Sequence, residues 1–300
     1  NRAYRLATFY AQNSLQQLCK NVSINNKMKN RNILFIVISL VILSCNSKTE
    51  NKTFDTTKNE KKLASIHQKD NRHWTYEGET GPEHWVEIEK QSKCAGKRQS
   101  PINIIDVNVV DDRSLKPINI NYSSNVKIHE VTNNGHSIQY NFEKGDYITI
   151  DNEKYELMQI HFHEASEHTI NGIRYPMEMH LVHVGKNNKI AVLAVMAKEG
   201  ESSEPFTFLE NYLPVKKGET KQINTNFDLN LNLPKNKEYY TYGGSLTTPP
   251  CTESVSWYIF KTPITISENQ VKQLQGLMPL NNYRNEQPIN GRIIKQFVPH

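Results

Sequence analysis

The sequence predicts a mainly β (α+β) fold: a single domain around a large twisted, mostly antiparallel sheet with short peripheral helices. Three observations lead there. First, strand patterns dominate: SIQYNF (137–142), YITI (147–150), LMQIHFH (157–163), MEMHLVHV (177–184), IAVLAVMA (190–197) and VSWYIF (255–260) are β-prone and largely alternating. Second, turn signals punctuate them: NNG at 133–135, EKGD at 143–146, INGIRYP at 170–176 and GKNNK at 185–189. Third, helical patterns are few. EPFTFLENYL (204–213) and SENQVKQLQGLM (267–278) are the candidates, the latter with Ser267 as N-cap. No internal repeat is visible.

The composition, 37% hydrophobic and 22% charged, suits a globular domain rather than a fibre or a disordered chain. The net charge of +5 is unevenly spread. Residues 1–72 carry 13 Lys+Arg against 4 Asp+Glu, whereas residues 73–300 carry 23 against 27. The basic balance therefore belongs to the leader, and a nucleic-acid partner, which needs a basic face on the folded body, is not expected.

Residues 28–45, MKNRNILFIVISLVILSC, read as a lipoprotein-type signal peptide. Lys29 and Arg31 form a basic start, and Ile33–Leu43 is apolar except for Ser39. That core is too short to span a bilayer comfortably. The ILSC ending resembles a bacterial lipobox, so Cys45 is the expected lipidation site. Residues 1–27 read as an upstream, non-native extension. Residues 46–72 are polar and Lys/Asn-rich, a flexible tether. The folded domain is expected over 73–298. These readings imply an exported, periplasmic or cell-envelope protein anchored by lipid to a bacterial membrane.

Of four cysteines, Cys19 and Cys45 lie in the leader region, leaving Cys94 and Cys251 in the domain. Export to an oxidising compartment makes a disulfide the simple reading; two free buried thiols are the alternative.

The chemistry concentrates in QIHFHEASEHT (159–169) and MEMHLVH (177–183). His161 and His163 are two apart on a strand and share a face. His180, on the next strand, can join them. Three neutral imidazoles with one open position make a catalytic zinc arrangement, whereas hard cations would call for oxygen ligands. His183 falls on the opposite face from His180, and His168 would fall on the other face if its strand continued, so both are excluded as ligands. A metal-bound imidazole needs its second nitrogen fixed. Glu178, two before His180, and Gln159, two before His161, are placed to do that.

Taken together, QSPINI (99–104), NNGHSI (133–138), QIHFHEASEHT, MEMHLVHV and YGGSLTTPPCTESVSWYIF (242–260) resemble an α-class carbonic anhydrase of the bacterial type. The resemblance runs from HWTYEG near the start of the domain to NNYRNEQPINGR (281–292). It implies a sheet of about ten strands with one Zn2+ per chain at the bottom of a conical cavity, and it implies that Cys94 and Cys251 pair. It makes His161, His163 and His180 the zinc ligands and Glu178 the partner of the third ligand. It makes Thr247 and Glu167 the pair that orients the nucleophile, and His136 the proton shuttle. Glu164 departs from the Trp of many animal members, at a position that varies among bacterial ones.

The implied reaction is reversible hydration of CO2 to bicarbonate and a proton, by attack of a zinc-bound hydroxide. An apolar wall for CO2 is expected from Val182, which shares His180's face, and by resemblance from Val192, Leu246 and Trp257. Thr248 is expected to contact bicarbonate or ordered water. Tyr76, Asn134 and Gln159 are expected to line a polar path to His136, a histidine being the natural carrier near neutral pH. Anion and sulfonamide-type inhibitors and a homodimer are further expectations of the resemblance. Two other classes compete. A non-catalytic binding protein on the same fold would have lost ligand histidines, which this chain keeps, and a three-histidine zinc esterase would show a different ratio of ester to CO2 turnover.

Overall fold

The structure, a computed structural model, describes residues 73–213 and 215–299, all within one unit, Gln68–His300. The expected signal peptide with Cys45, the stretch 1–27 and the tether 46–72 lie outside the described residues. Among those described, a 13-stranded sheet organises the chain. Its continuous path runs Thr220–Asn226, Lys127–Asn133, Ile138–Phe142, Glu153–His163, Met177–Gly185, Ile190–Glu199, Glu253–Phe260, Tyr239–Ser245, Lys295–Phe297 and Val110–Asp111. Three further strands pair onto it from the side, and a three-stranded sheet, Asn103–Ile104, Thr169–Ile170 and Ile173–Arg174, lies apart. Most pairings are antiparallel. Ile190–Glu199 pairs in parallel with Glu253–Phe260, as does Lys295–Phe297 with Val110–Asp111.

All six expected strands are present, the longest extended to Glu153–His163. The two expected helices are Glu204–Glu210 and Glu268–Gln275. Ser267 does cap the second, in a capping box with Gln270, and Ser203 caps the first. The strands Lys127–Asn133, Thr220–Asn226 and Tyr239–Ser245 had no clear sequence signal. Thr220–Asn226, TKQINTN, is mostly exposed at the sheet edge, and Tyr239–Ser245 carries two glycines.

Burial on both sheet faces explains the central strands. Along Ile190–Glu199, Ala191, Leu193, Val195 and Ala197 enter one apolar cluster, while Val192, Ala194 and Met196 enter another across the sheet. A strand covered on both sides reads as continuous apolar sequence, which is why IAVLAVMA hardly alternates. Glu153–His163 has a different device. Its register against Met177–Gly185 shifts between Val182 and His183, where Gln159 and Leu157 are the successive partners. The extra residue, Met158, is 43% exposed. The bulge lets Leu157 and Ile160 both face the larger core, and it sets Gln159, His161 and His163 on the opposite face.

Cys94 and Cys251 form a disulfide spanning 157 positions, packed with Trp74, Tyr76 and Trp85 in a separate apolar cluster. Closing so long a loop restricts the unfolded chain. A Cys94→Ser/Cys251→Ser variant is expected to lose about 2–4 kcal/mol of stability, read as a lower urea midpoint; an unchanged midpoint would show that the cross-link carries none.

His183 does face away from the site. It is fully buried, bonded to Tyr122 Oη at 2.6 Å and stacked on that ring. Burial pushes its pKa down to about 3, against backbone contacts that raise it. Below pH 6.5 the unfolded chain therefore takes up a proton here that the native chain refuses, so this site's contribution to stability is complete above pH 6.5 and declines as pH falls toward 3. His183→Gln should flatten the dependence of unfolding free energy on pH between 7 and 5, by up to about 1.4 kcal/mol per unit. Parallel pH profiles for variant and parent would rule this out.

Candidate metal centre

The register of two antiparallel strands builds the site. His161 lies directly opposite His180, and His163 opposite Glu178. The three imidazoles converge, with ring centroids 5.1, 5.1 and 4.7 Å apart, and one nitrogen of each lies within 4.8 Å of the others.

The outward nitrogens are each taken. His161 Nδ1 donates to Gln159 Oε1 at 2.8 Å, His163 Nδ1 to the Asn282 carbonyl at 2.6 Å, and His180 Nε2 to Glu178 Oε1 at 2.8 Å. Each donation fixes a neutral tautomer and leaves a lone pair on the other nitrogen: Nε2 of His161, Nε2 of His163 and Nδ1 of His180. His180 Nδ1 and His161 Nε2 are 3.3 Å apart, and His163 Nε2 is buried without a hydrogen-bond partner. Burial, followed by the neighbouring imidazoles, holds His161 well below its ordinary pKa, and burial lowers His163 as well. Unprotonated imidazoles are what a metal requires. Three nitrogen donors with an orphaned lone pair fit a zinc ion with an open fourth position.

Glu178 and Glu167 sit behind the three histidines. Burial opposes the charge on Glu178, but His168 and His180 on either side hold it well below the usual carboxylate range. Its Oε2 accepts from the backbone N–H groups of Glu167 and His168, both at 2.8 Å. Glu167 Oε1 accepts from Arg284 N at 2.9 Å. Its Oε2 has no hydrogen-bond partner and stands 3.4 Å from His163 Nε2. Thr247 lines the cavity, and among the described residues no hydrogen bond joins it to Glu167.

The cavity has a volume of about 200 Å³. It brings together every other side chain expected there: His136, Tyr76, Asn134 and Gln159 on the polar side, and Val182, Val192, Leu246, Trp257 and Thr248. Val182 pairs with Val192, and Val192 with Trp257, across adjacent strands. His136 stacks on Trp74 at 3.7 Å. Burial first, then His73 and Lys217, push its pKa down to about 4.

The sequence placed His168 on the other face only if its strand continued, and the strand ends at His163. His168 turns in beside the site, with Nδ1 at 2.7 Å from Glu178 Oε1 and Nε2 at 2.7 Å from Tyr242 Oη. Those bonds use both nitrogens, and one of them supports Glu178. Sequence reasoning missed Asn282, Arg284, Trp74 and Gln139. At His163 and Glu167, Asn282 and Arg284 act through backbone atoms, the Asn282 carbonyl and the Arg284 amide, which residue identity does not advertise. Trp74 lies in HWTYEG, a segment whose aromatic density was the available signal.

Residues 80–298 match the family model described as eukaryotic-type carbonic anhydrase. The chain is 40% identical over 226 residues to a carbonic anhydrase of Klebsiella pneumoniae, covering 74% of this chain and 90% of that protein. It is 39% identical over 225 residues to one of Neisseria gonorrhoeae, covering 74% and 87%. Among solved structures, the complex of α-carbonic anhydrase from Thermovibrio ammonificans with the inhibitor sulfanilamide aligns with a TM-score of 0.71 at 39% identity, covering 74% of this chain and 98% of that one.

The hydrogen bond from His161 to Gln159 generates a prediction. Gln159→Ala frees the ring to rotate and should weaken zinc affinity about 10- to 100-fold, measured by competition with a chelator of known affinity. An unaltered competition curve would deny Gln159 its orienting role.

Proposed function

We propose a residue-level mechanism on the premise that the chain belongs to the eukaryotic-type carbonic anhydrase family and catalyses that family's zinc-dependent, reversible hydration of CO2 to bicarbonate and a proton. His161, His163 and His180 would hold one zinc ion per chain. The observation that carries this assignment is the set of three lone pairs left by three fixed tautomers, one of them a buried nitrogen with no partner. Zinc, when bound, makes a water-derived nucleophile available near neutral pH, an effect for which carbonic anhydrases are the type case.

The remaining work falls to side chains. Thr247 Oγ1 would accept a hydrogen bond from the nucleophile and donate its own proton to Glu167 Oε2, an oxygen without a partner in this structure, on a carboxylate whose Oε1 Arg284 N already fixes. Thr247 then has no proton to offer, so it turns the nucleophile's lone pair toward CO2 and disfavours anions that cannot donate. Val182, Val192, Leu246 and Trp257 form the apolar wall that receives CO2, and Thr248 contacts the bicarbonate product. The released proton travels along the polar side, past Tyr76, Asn134 and Gln159, to His136. In its stacked position His136 is neutral at pH 7, as an acceptor must be. Burial, then His73 and Lys217, push its pKa down to about 4, below the range near the working pH that suits a shuttle best.

The sulfonamide complex of the Thermovibrio ammonificans enzyme and the cavity residues in common support binding of sulfonamides and small anions here. Bacterial relatives and a disulfide support an exported protein. We extend this to a signal peptide over 28–45, a lipid on Cys45, a tether to residue 72, a catalytic domain over 73–298, a periplasmic or cell-envelope location and a homodimer.

Stopped-flow CO2 hydration tests the reading. Activity should vanish on zinc chelation and return on readdition; activity indifferent to chelation would refute it. Thr247→Ala should lower kcat/KM about 10- to 100-fold, the worth of one hydrogen bond to a charged group, with zinc content retained. His136→Ala should slow turnover in weak buffer, with free imidazole restoring it.

A further inference from the structure

The catalytic cavity has a neighbour. A second cavity, of about 350 Å³, is lined by His73, Thr75, Glu77, Gly135, Lys217 and Leu280, among others. Trp74, Tyr76, Asn134 and His136 line both cavities. The stacked rings of His136 and Trp74 thus form part of the partition between them.

Basic groups gather on the far side of that partition. His73 Nε2 and His136 Nε2 are 3.1 Å apart, a direct hydrogen bond between two imidazoles. The Lys217 chain lies across Gly135, where a Cβ would come within 2.8 Å of Lys217 Cε. The missing side chain at Gly135 lets the lysine lie close to the imidazoles, and its charge is felt at His136. Glu77 is the carboxylate on this cavity's wall, with its backbone tied to Thr75 Oγ1. Stacking on Trp74 already holds His136 in place, together with its backbone N–H donating to Asn134 Oδ1 and its carbonyl accepting from Asn282 Nδ2. Packing therefore explains neither the second imidazole nor the lysine, both of which are exposed.

We propose that this outer cavity docks the anionic base that carries the proton away, a small oxyanion of the hydrogen phosphate type, and that His73 passes the proton from His136 to it. The proposal rests on the shuttle role assigned to His136. Protonated His136 gives its Nε2 proton to Nε2 of neutral His73. His73 gives its Nδ1 proton to HPO4²⁻, which leaves as H2PO4⁻. Both rings are again neutral, in exchanged tautomers that reset through solvent. Lys217 draws the dianion in, and the protonated product, one charge poorer, is held less strongly and leaves.

The test uses the zinc-loaded full chain at constant ionic strength and saturating CO2. Turnover is measured against the concentration of phosphate and, separately, of 1,2-dimethylimidazole, which is not anionic. The parent should saturate with phosphate. Lys217→Ala should raise the half-saturating phosphate concentration about three- to fivefold, the worth of one exposed charge contact, and shift that for 1,2-dimethylimidazole less. His73→Ala and His73→Gln should both lower the phosphate plateau, because glutamine keeps a hydrogen bond but passes no proton. In NMR titrations of the parent, phosphate should shift the His73 imidazole resonances with the same half-point as the kinetics. A linear dependence on phosphate, or an unmoved half-saturation in Lys217→Ala, would overturn the docking site. If His136→Ala is slow while the His73 and Lys217 variants match the parent, docking fails and the shuttle stands. If His136→Ala is as fast as the parent in both buffers, the shuttle reading itself falls.

Discussion

A single buried carboxylate holds the centre together. Glu178 is fully enclosed, and an isolated charge there would be prohibitively costly. It is tolerated because its two oxygens meet four donors: the imidazoles of His168 and His180 and the backbone amides of Glu167 and His168. Each donor does a second job. His180 is turned so that its other nitrogen faces the two histidines of the next strand. The amides pin the segment that follows His163, which places Glu167 beside the ligands. His168 links onward to Tyr242 and through it to Ser100. Such networks are strong when every member is satisfied and fail together when one is not.

Around that network, the sheet supplies register and the loops supply function. Adjacent strands set His161 against His180, and the bulge at Met158 puts the polar residues on the correct face. Thr247 and Thr248 come from the loop after Tyr239–Ser245, whose end is tied down by Cys251 and its partner. Strands carry the three converging histidines, and a braced loop carries Thr247 and Thr248.

The main strands and the three histidines were legible in the sequence for a physical reason, whereas Thr247, Glu167 and His136 were named from the family resemblance. Strand alternation is visible whenever one face is polar, and the ligand spacing, His-x-His followed by Glu-x-His on a neighbouring strand, exists because pleat period and metal geometry both demand it. Ser267 could be named as a cap because its chemistry is local. What was hidden shares the opposite property. The Asn282 carbonyl reaches His163 across 119 positions, and the Arg284 amide reaches Glu167 across 117. A backbone group looks the same under any side chain. The face taken by His168 depended on whether its strand continued, and its neighbours leave the sheet after His163.

Those two distant backbone contacts determine when the centre can exist. The ligand histidines are all made by residue 180, yet the groups that orient His163 and Glu167 arrive only with residues 282 and 284. The parallel pairing of Ile190–Glu199 with Glu253–Phe260 likewise waits on chain far downstream. Contacts so remote in sequence form late and slowly. A chain emerging from the ribosome therefore carries all three imidazoles for some time without the partners that would set their tautomers. The arrangement that fixes these tautomers is complete only once residues 282 and 284 are in place.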